Sequence, residues 1–417
     1  MLALSLLALV SLAASLPAPQ SNAGAGAKAD PNTEMWHAGS KIIPQPIRGA
    51  LGGTILGPQN VPVELQNADS LASPTTDSGQ LPNMKWPFAM SRTRLNDGGW
   101  ARQQNVDSLP IATALAGVNM RLEPGAIREL HWHDVAEWAY VLKGHIRIST
   151  LTPEGEIYVG DVSEGDIWYF PAGNPHSLQA KNTTADGAEF LLVFDSGRFT
   201  EDNTFLLTDW LAHVPKGVLA QNFGQPVSAF DRIPEKQLYI FQSSPPPEDI
   251  DEDRVIPNNT PNPYTYALSK VQGEKKPGGT VKVVDSRTFK VATQISAAEV
   301  TVDVGGMREL HWHPTQPEWS FIISGQARMT VFAGSSQART FDLEAGDVGY
   351  VPPSFGHYLV NTGNTPLKFL EIFKTDIFQD ISLTQWLALT PAQLVKAHVG
   401  FSDEMIASLS REKLEVV

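Results

Sequence analysis

The hexapeptide Arg128-Glu129-Leu130-His131-Trp132-His133 returns unchanged as residues 308–313. A repeat of this kind at a fixed distance is typical of a duplicated structural unit. The duplication continues through further paired positions in the same order, namely Glu137 and Glu318, Gly144 and Gly325, Gly165-Asp166 and Gly346-Asp347, and His176 and His357. A chain of 417 residues is also longer than one hydrophobic core usually supports. The sequence therefore predicts two tandem domains of the same fold.

Short apolar and β-branched runs recur through both halves, separated by Gly, Pro and Asn at intervals of about 8 to 12 residues. In the first half these runs lie at residues 139–142, 146–151, 167–170 and 190–194. This spacing favours antiparallel sandwiches or barrels. We therefore predict an all-β fold, in which each repeat ends in a short helical tail with a Leu-Thr-x-Trp start.

Changes in composition indicate the domain boundaries. We assign residues 81–232 to the first domain and residues 263–417 to the second. Between them, residues 233–262 contain three consecutive prolines and an acidic run, which is typical of an interdomain linker. Residues 21–80 are assigned to an N-terminal arm.

Residues 1–20 contain an apolar stretch rich in Leu and Ala. This pattern favours a signal peptide over a buried N-terminal helix, and the stretch is too short to span a bilayer. It lacks the usual basic start, because the first basic residue is Lys28. Asn182 and Asn258 each begin an Asn-x-Ser/Thr sequon, the acceptor for N-glycosylation. Together these features predict a secreted glycoprotein.

The formal net charge of −14 argues against a nucleic-acid or membrane partner, because both require a basic face. An acidic protein that binds an anion must supply local positive charge, from a metal ion or from a few arginines. The chain has no cysteine, so it forms no disulfide and offers no thiolate. Any metal must therefore be held by histidines and carboxylates.

Six of the ten histidines lie at the repeated positions. Residues two apart on a strand point to one face, so His131 and His133 can converge while Trp132 faces away. Glu137 follows where the strand turns, and His176 can return beside the pair in a later strand. The second copy offers the equivalent set, His311, His313, Glu318 and His357. Metal ligation explains the types of these residues, their spacing and their duplication together. The alternative, that they are ordinary histidines of the core, does not. The set suits Mn, Fe, Ni, Cu or Zn without selecting one.

These residues carry a resemblance to the bicupins, proteins with two cupin domains. The pattern G-x5-H-x-H-x(3,4)-E-x6-G is matched at residues 125–144 and 305–325. The second cupin pattern, G-x5-P-x-G-x2-H-x3-N, follows in each domain, except that Ala180 replaces its Asn and Ser354 replaces its second Gly. Neither position is a ligand. The resemblance implies two double-stranded β-helix barrels, also called jelly rolls.

A finer resemblance, to bicupin oxalate decarboxylases, extends over nearly the whole chain from about Pro44 onward. It includes residues 82–86, 98–102 and 191–195 besides the two hexapeptides. This resemblance implies two Mn²⁺ ions per chain, dioxygen as a catalytic co-substrate, and cleavage of oxalate to formate and carbon dioxide. We also expect a homo-oligomer.

The first domain has three more residues between Phe199 and Leu207 than the second has between Phe378 and Leu383. The excess falls where the family has a mobile lid, and Glu201 aligns with the lid glutamate that carries the proton. The family's usual Ser-Glu-Asn-Ser stands here as Thr-Glu-Asp-Asn, which keeps the acid. We expect this acid in the first-domain lid alone; the alternative is a solvated acidic loop tip.

Arg128 and Arg308 precede the first ligand histidine of their domains by three residues. This odd spacing puts them on the opposite strand face unless the strand bulges. The resemblance places the arginine at the substrate, where it polarises a carboxylate; an exposed surface arginine is the alternative. Glu371 aligns with a family carboxylate near the second metal, where the first copy has Leu192. We therefore assign the main catalysis to the first domain and an auxiliary role to the second.

Three other functions stay open at this point. An oxalate oxidase would use the same ligands and release carbon dioxide and hydrogen peroxide, and only the lid glutamate argues against it. A bicupin dioxygenase acting on a flavonoid is disfavoured, because the resemblance to the decarboxylases extends well beyond the metal ligands. A non-catalytic storage-type bicupin would need no metal, which disagrees with two complete ligand sets. For the decarboxylase, activity is expected to peak at acidic pH, because oxalate and a glutamate both titrate there.

Overall fold

The computed structural model describes residues 60–71, 73–74 and 76–417. The predicted signal peptide and the predicted arm as far as residue 59 lie outside this part of the chain. Residues 60–71 contain two short helices, α1 (Val61–Gln66) and α2 (Ala68–Leu71). Among the described residues, no helix has the length and apolar character needed to cross a bilayer.

Residues 76–417 form one unit built mainly of strands. The first thirteen strands are β1 (Lys85–Pro87), β2 (Arg94–Asn96), β3 (Gly99–Gln104), β4 (Ala116–Leu122), β5 (Ile127–Trp132), β6 (Glu137–Lys143), β7 (His145–Leu151), β8 (Ile157–Ser163), β9 (Ile167–Phe170), β10 (His176–Ala180), β11 (Ala188–Phe194), β12 (Phe205–Leu206) and β13 (Ile240–Phe241). The remaining strands are β14 (Thr265–Tyr266), β15 (Glu274–Lys276), β16 (Gly279–Val284), β17 (Ser296–Val302), β18 (Met307–Trp312), β19 (Glu318–Ser324), β20 (Gln326–Phe332), β21 (Ala338–Glu344), β22 (Asp347–Val351), β23 (Gly356–Asn361), β24 (Leu367–Phe373) and β25 (Ile381–Ser382).

Each half folds into a barrel of two antiparallel sheets. In the first barrel the strand orders are β14-β9-β6-β11-β4-β3-β2 and β12-β5-β10-β7-β8, with β13 also paired to β5. In the second they are β1-β22-β19-β24-β17-β16-β15 and β21-β20-β23-β18-β25. Alternating residues of the facing sheets fill both interiors. The predicted all-β fold with two tandem barrels is confirmed.

The two barrels exchange one strand each. The strand β1, which comes before the first barrel, pairs with β22 of the second, and β14 pairs with β9 of the first. Between the barrels lies a shared apolar core that includes Phe88, Trp138 and Trp319. Strand exchange and shared core together fix the two barrels to each other.

The helical tails begin at the predicted leucines. The first tail contains α3 (Leu207–Ala212) and α4 (Lys216–Phe223), and the second contains α5 (Leu383–Leu389), α6 (Ala392–Val399) and α7 (Asp403–Ser408). After each tail the chain returns to the histidine-bearing strand of its own barrel. β13 pairs with β5, and the C-terminal Val417 exchanges backbone hydrogen bonds with Met307 in β18. The segment predicted as a linker therefore includes a strand of the first barrel.

Candidate active site

The four predicted ligands of the first domain come from three strands that meet inside the barrel. Glu137 begins β6, His176 begins β10, and His133 follows the last residue of β5. His131, in β5, lies directly opposite His176. All four side chains are buried, and one ligand atom from each lies within 4.8 Å of the others.

Backbone carbonyl groups fix the orientation of all three imidazoles. Nδ1 of His131 lies 2.6 Å from the carbonyl oxygen of Glu129, and Nδ1 of His133 lies 2.6 Å from that of Val135. Nδ1 of His176 lies 2.8 Å from the carbonyl oxygen of Asn174. Because a carbonyl only accepts, each Nδ1 carries the proton and each Nε2 presents its lone pair. This is the tautomer that binds a metal through Nε2.

The Nε2 atoms fit a bound cation. Those of His133 and His176 lie 3.2 and 3.6 Å from Oε2 of Glu137. Nε2 of His176 is buried and has no hydrogen-bond partner among the described residues, which is unfavourable unless a ligand is bound. Burial and the nearby charge of Arg128 lower the pKa of His131 well below its usual value, so this ligand stays neutral. Burial alone would raise the pKa of Glu137, but the neighbouring imidazoles of His133 and His176 outweigh burial and lower it.

Arg128 lies on the inner side of the same strand. The register between β5 and β10 shifts between His176 and Leu178, which is a β-bulge. Arg128 and His131 are three residues apart, yet they are only 1% and 3% exposed, respectively. The bulge therefore explains how Arg128 and His131 can both be buried although their spacing of three residues would put them on opposite faces of a regular strand. Arg128 is not a surface arginine.

The lid, residues 200–206, points its glutamate inward. Oε2 of Glu201 accepts hydrogen bonds from Nη2 of Arg128 at 3.0 Å and from the hydroxyl of Tyr239 at 2.9 Å. The backbone N–H of Glu201 donates to Oε1 of Gln103 at 2.9 Å. Glu201 is 7% exposed, so it is not a solvated loop tip. Burial and the charge of Glu201 raise the pKa of Tyr239 well above its usual value, so its hydroxyl remains a donor.

Both halves of the chain match the Cupin family, at residues 88–227 and 267–407. The chain is 51% identical over 376 residues to the oxalate decarboxylase OxdC of Bacillus subtilis (strain 168), a match that covers 90% of this chain and 97% of that enzyme. The chain is a member of the bicupin oxalate decarboxylase family. A probable oxalate decarboxylase of Arthroderma benhamiae is 42% identical to this bicupin over 380 residues, which cover 89% of this chain and 93% of that protein.

Solved structures of the Bacillus subtilis enzyme have the same architecture as this bicupin. The structure at pH 4.6 aligns with a TM-score of 0.87 and 50% identity, and it covers 92% of this chain and 99% of that one. A structure from a study of the enzyme's Mn(II) centres aligns with a TM-score of 0.86 and 51% identity, covering 90% and 99%. The family and the fold that the resemblance implied are confirmed.

The bicupin has a second metal-binding site built from the same types of residue. The side chains of His311, His313, Glu318 and His357 are buried, with ligand atoms within 4.8 Å of one another. Nε2 of His313 and Nε2 of His357 each lie 2.9 Å from Oε2 of Glu318. The sites differ in what binds the other carboxylate oxygen. Glu318 accepts from the hydroxyl of Ser320, whereas Glu137 accepts from Nε1 of Trp168 at 2.8 Å.

The two arginines also differ in their partners. Nε of Arg308 donates to Glu371 at 2.8 Å, and its Nη2 donates to Asp380 at 2.7 Å. Nε of Arg128 is buried and has no partner among the described residues. The difference follows from sequence, because the residue of β11 that corresponds to Glu371 is Leu192. A buried donor without a partner is available to a ligand, and only the first of these two arginines offers one.

One expectation is wrong. We expected an inward acid in the first-domain lid alone, but Asp380 lies in the corresponding, shorter segment of the second domain and is 7% exposed. Asp380 bonds to both Arg308 and Lys413, so it belongs to a saturated ion cluster. The lengths of the two segments showed the three-residue difference between the domains, but they did not predict that Asp380 is buried.

Tyr239 is the site residue that the sequence analysis missed, because it lies in the segment predicted as a linker. It is 1% exposed, and its φ of 60° is unusual for a bulky residue. Its backbone is held by Glu129 of the hexapeptide, which accepts from the N–H of Tyr239. Glu415 has the same φ and the equivalent bond to Glu309 in the second domain. The apolar run at residues 239–241 was the available signal for a strand here.

Proposed function

We propose that this protein cleaves oxalate to formate and carbon dioxide, chiefly in the first domain. The observation that supports this most strongly is the inward ion pair of Glu201 and Arg128 beside a metal site of three histidines and one glutamate. The reaction takes up one proton for each oxalate dianion and consumes no net oxidant. A positioned acid that delivers this proton is therefore its main requirement.

We infer that manganese occupies the sites and that dioxygen is needed for turnover. Three neutral imidazoles and one carboxylate suit Mn²⁺, though they also suit other first-row ions, and the solved relative is described by its Mn(II) centres. When bound, manganese with dioxygen supplies positive charge at the substrate and the capacity for one-electron oxidation. The residues that would hold it in the first domain are His131, His133, Glu137 and His176.

The remaining groups of the first domain orient substrate and move the proton. Nε of Arg128 is free to bind a substrate carboxylate, which stabilises charge as the carbon–carbon bond breaks. Glu201 holds and delivers the proton that ends on the formate carbon, and the Tyr239 hydroxyl positions its Oε2. The burial of these side chains excludes water from the proton transfer.

The second domain takes an auxiliary role in this proposal. Arg308 donates to Glu371 and Asp380, and its Nη1 donates to the carbonyl of Glu415, so each of its three nitrogens has a partner. A substrate carboxylate would have to displace one of these anions. Arg128 has no such competitor at Nε, which favours the first domain.

Secretion and glycosylation are part of the proposal, and the two sequons differ. Asn182 is exposed. Asn258 accepts at Oδ1 from the N–H of Val159 at 2.8 Å and donates from Nδ2 to the carbonyl of Val159 at 2.9 Å. In a glycosylated asparagine the sugar is attached to Nδ2 in the position trans to Cβ, because the amide group is planar. The sugar therefore lies on the same side of the amide as Oδ1. In Asn258 this side is already bonded to the backbone of Val159. We therefore expect a glycan on Asn182 but not on Asn258, which peptide mapping of protein secreted from a eukaryotic host would test.

A homo-oligomer is also proposed. The helical tails expose large apolar side chains, among them Trp210, Phe223, Trp386 and Leu389. Exposed large apolar side chains of this kind are common at interfaces between subunits. Light scattering of the purified chain would measure its mass in solution.

Product analysis tests the central proposal. Protein produced with manganese is supplied with oxalate and dioxygen, and formate, carbon dioxide and hydrogen peroxide are quantified. One formate and one carbon dioxide per oxalate are expected. Peroxide with two carbon dioxide molecules would favour an oxidase, and no consumption of oxalate would favour a storage protein.

A further inference from the structure

A cavity of about 660 Å³ lies against the lid of the first domain. Its inner wall includes Glu201 and Tyr239, both buried, and its outer wall includes the exposed Arg92. The cavity therefore connects the protein surface with the outer side of the lid. We call this cavity the vestibule.

Cationic side chains are concentrated around the vestibule. Three arginines line it, and a fourth, Arg128, lies behind Glu201 as its ion-pair partner. The lining arginines are Arg92, Arg94 and Arg102. Three carboxylates line the same space, those of Asp107, Glu201 and Asp202. The lining arginines and carboxylates are equal in number, and Arg128 adds one further cation, whereas the whole chain has a net charge of −14.

Two of these arginines differ in how firmly they are held. Arg94 lies over the ring of Tyr239, with Cζ 3.7 Å from the ring centroid, and its Nη1 is 3.4 Å from Oδ1 of Asp202 in the lid. The side chain of Asp202 is 80% exposed, so this ion pair is weak. Arg92 is exposed and makes no hydrogen bond or ion pair with any residue that the structure describes. Its guanidinium is thus available to a ligand.

We propose that the vestibule is a capture site for a small dicarboxylate dianion, with Arg92 and Arg94 as its binding groups. The inference rests on the proposed function and adds the route by which the substrate arrives. A protein of net charge −14 repels a dianion at long range, so productive encounters need a local region of positive potential. A guanidinium binds a carboxylate with two parallel hydrogen bonds. A dianion held here lies next to the segment that covers the metal site.

The two arginines have separable roles. Arg92 touches no part of the catalytic machinery, so its loss slows capture alone. Arg94 also contacts Tyr239 and the lid, so it is a positioning residue as well, and its loss changes the catalytic step too. Capture by charge is screened by salt, whereas positioning by contact is not. Ionic strength therefore distinguishes the two effects.

The test compares kcat/KM and kcat for oxalate as a function of sodium chloride concentration. The proteins are the parent, Arg92→Gln, Arg92→Lys, Arg94→Gln and Arg411→Gln. Arg411 is an exposed arginine of the C-terminal segment, and its substitution changes the net charge equally. We expect Arg92→Gln to lower kcat/KM about three- to tenfold at low salt, to leave kcat alone, and to converge with the parent at high salt. Arg92→Lys should recover most of the loss, and Arg94→Gln should lower both constants.

An Arg92→Gln protein with the parental kcat/KM at low salt would overturn the proposal. So would an equal loss in Arg411→Gln, which would show an effect of net charge, or a loss that salt does not reduce. A parent that consumes no oxalate contradicts the proposed function instead. In that case the salt dependence of oxalate binding, measured by calorimetry on the same proteins, decides the capture site, with the same ranking expected.

Discussion

Glu201 and Arg128 form a buried ion pair in which a carboxylate oxygen of the lid lies 3.0 Å from the guanidinium of the barrel. The hydroxyl of Tyr239 donates to the same oxygen. The lid carboxylate thus has two fixed contacts with the interior, and both are lost if the lid moves outward. Each partner can be altered by a substitution that keeps its approximate size.

Tyr239→Phe removes one contact of the lid carboxylate and keeps the ring under Arg94. We expect kcat for formate production to fall about tenfold or more, because a hydrogen bond to a charged group contributes roughly 1.5–3 kcal/mol. The control is Tyr140→Phe, which also deletes a buried bond to a carboxylate, 2.6 Å to Glu299. The control should lower the melting temperature without lowering kcat. Equal losses of kcat in both variants would contradict a specific role for Tyr239.

Arg128→Gln and Arg308→Gln should fail in different ways. The first removes the free donor at the substrate, so we expect kcat/KM to fall about hundredfold or more, with the metal content retained. The second leaves Glu371 buried without its cation and leaves Asp380 with Lys413 alone, so we expect a loss of about 3–5 kcal/mol in the free energy of unfolding. Denaturant unfolding and steady-state kinetics on both variants separate these effects. An Arg128→Gln protein with parental kcat/KM would contradict the assigned role.

The two metal sites can be counted separately. Protein produced with manganese should contain close to two ions per chain by elemental analysis. His131→Ala and His311→Ala should each lower the content to about one, because three ligands with a gap bind the ion more weakly. Loss of the ion from the first site should abolish formate production, whereas loss from the second should leave part of it. A fully active parent without metal would contradict the proposal.

Glu299 predicts part of the pH dependence of stability. Burial raises the pKa of its carboxyl, but the bonds from Tyr140, Lys368 and Lys282 outweigh burial and hold the pKa below its usual value of 4.5. The unfolded chain therefore takes up this proton first as the pH falls. The stabilisation is complete above about pH 4.5 and is lost as the pH falls through the folded-state pKa.

Glu299→Gln should accordingly lower the melting temperature near neutral pH, and the difference from the parent should shrink as the pH falls below about 4.5. Melting curves of both proteins across this range provide the measurement. A difference that stays constant with pH would show that the carboxylate charge makes no contribution.

The features that could be predicted most directly from the sequence were the repeated ones. The ligand histidines could be found because the hexapeptide occurs twice and strand geometry places His131 and His133 on one face. The inward side of Arg128 depended on a bulge, which spacing alone does not determine. Tyr239 was hidden in a segment rich in proline and charge, and only tertiary pairing with β5 brings it to the site.

Differences between the domains were harder to predict than the duplicated parts. The length of the lid could be predicted from the sequence. The buried position of Asp380 could not, because it depends on the course of the backbone in the shorter segment. Whether an arginine keeps a free donor depends on groups from several distant stretches of the chain. For Arg308 these are Glu371, Asp380 and the backbone of Glu415. No short sequence pattern predicts that these three groups meet at Arg308.

The most direct test of the account is the ratio of formate to hydrogen peroxide produced per oxalate by Glu201→Gln. This variant keeps the size of the lid side chain but has no group that accepts and returns a proton. We expect formate to fall more than about tenfold and the remaining turnover to shift towards peroxide. Glu371→Gln, which changes a buried carboxylate on the other arginine, should keep the parental ratio even if its stability falls. If Glu201→Gln keeps the parental formate yield while Glu371→Gln abolishes it, catalysis belongs to the second domain and the central claim is wrong.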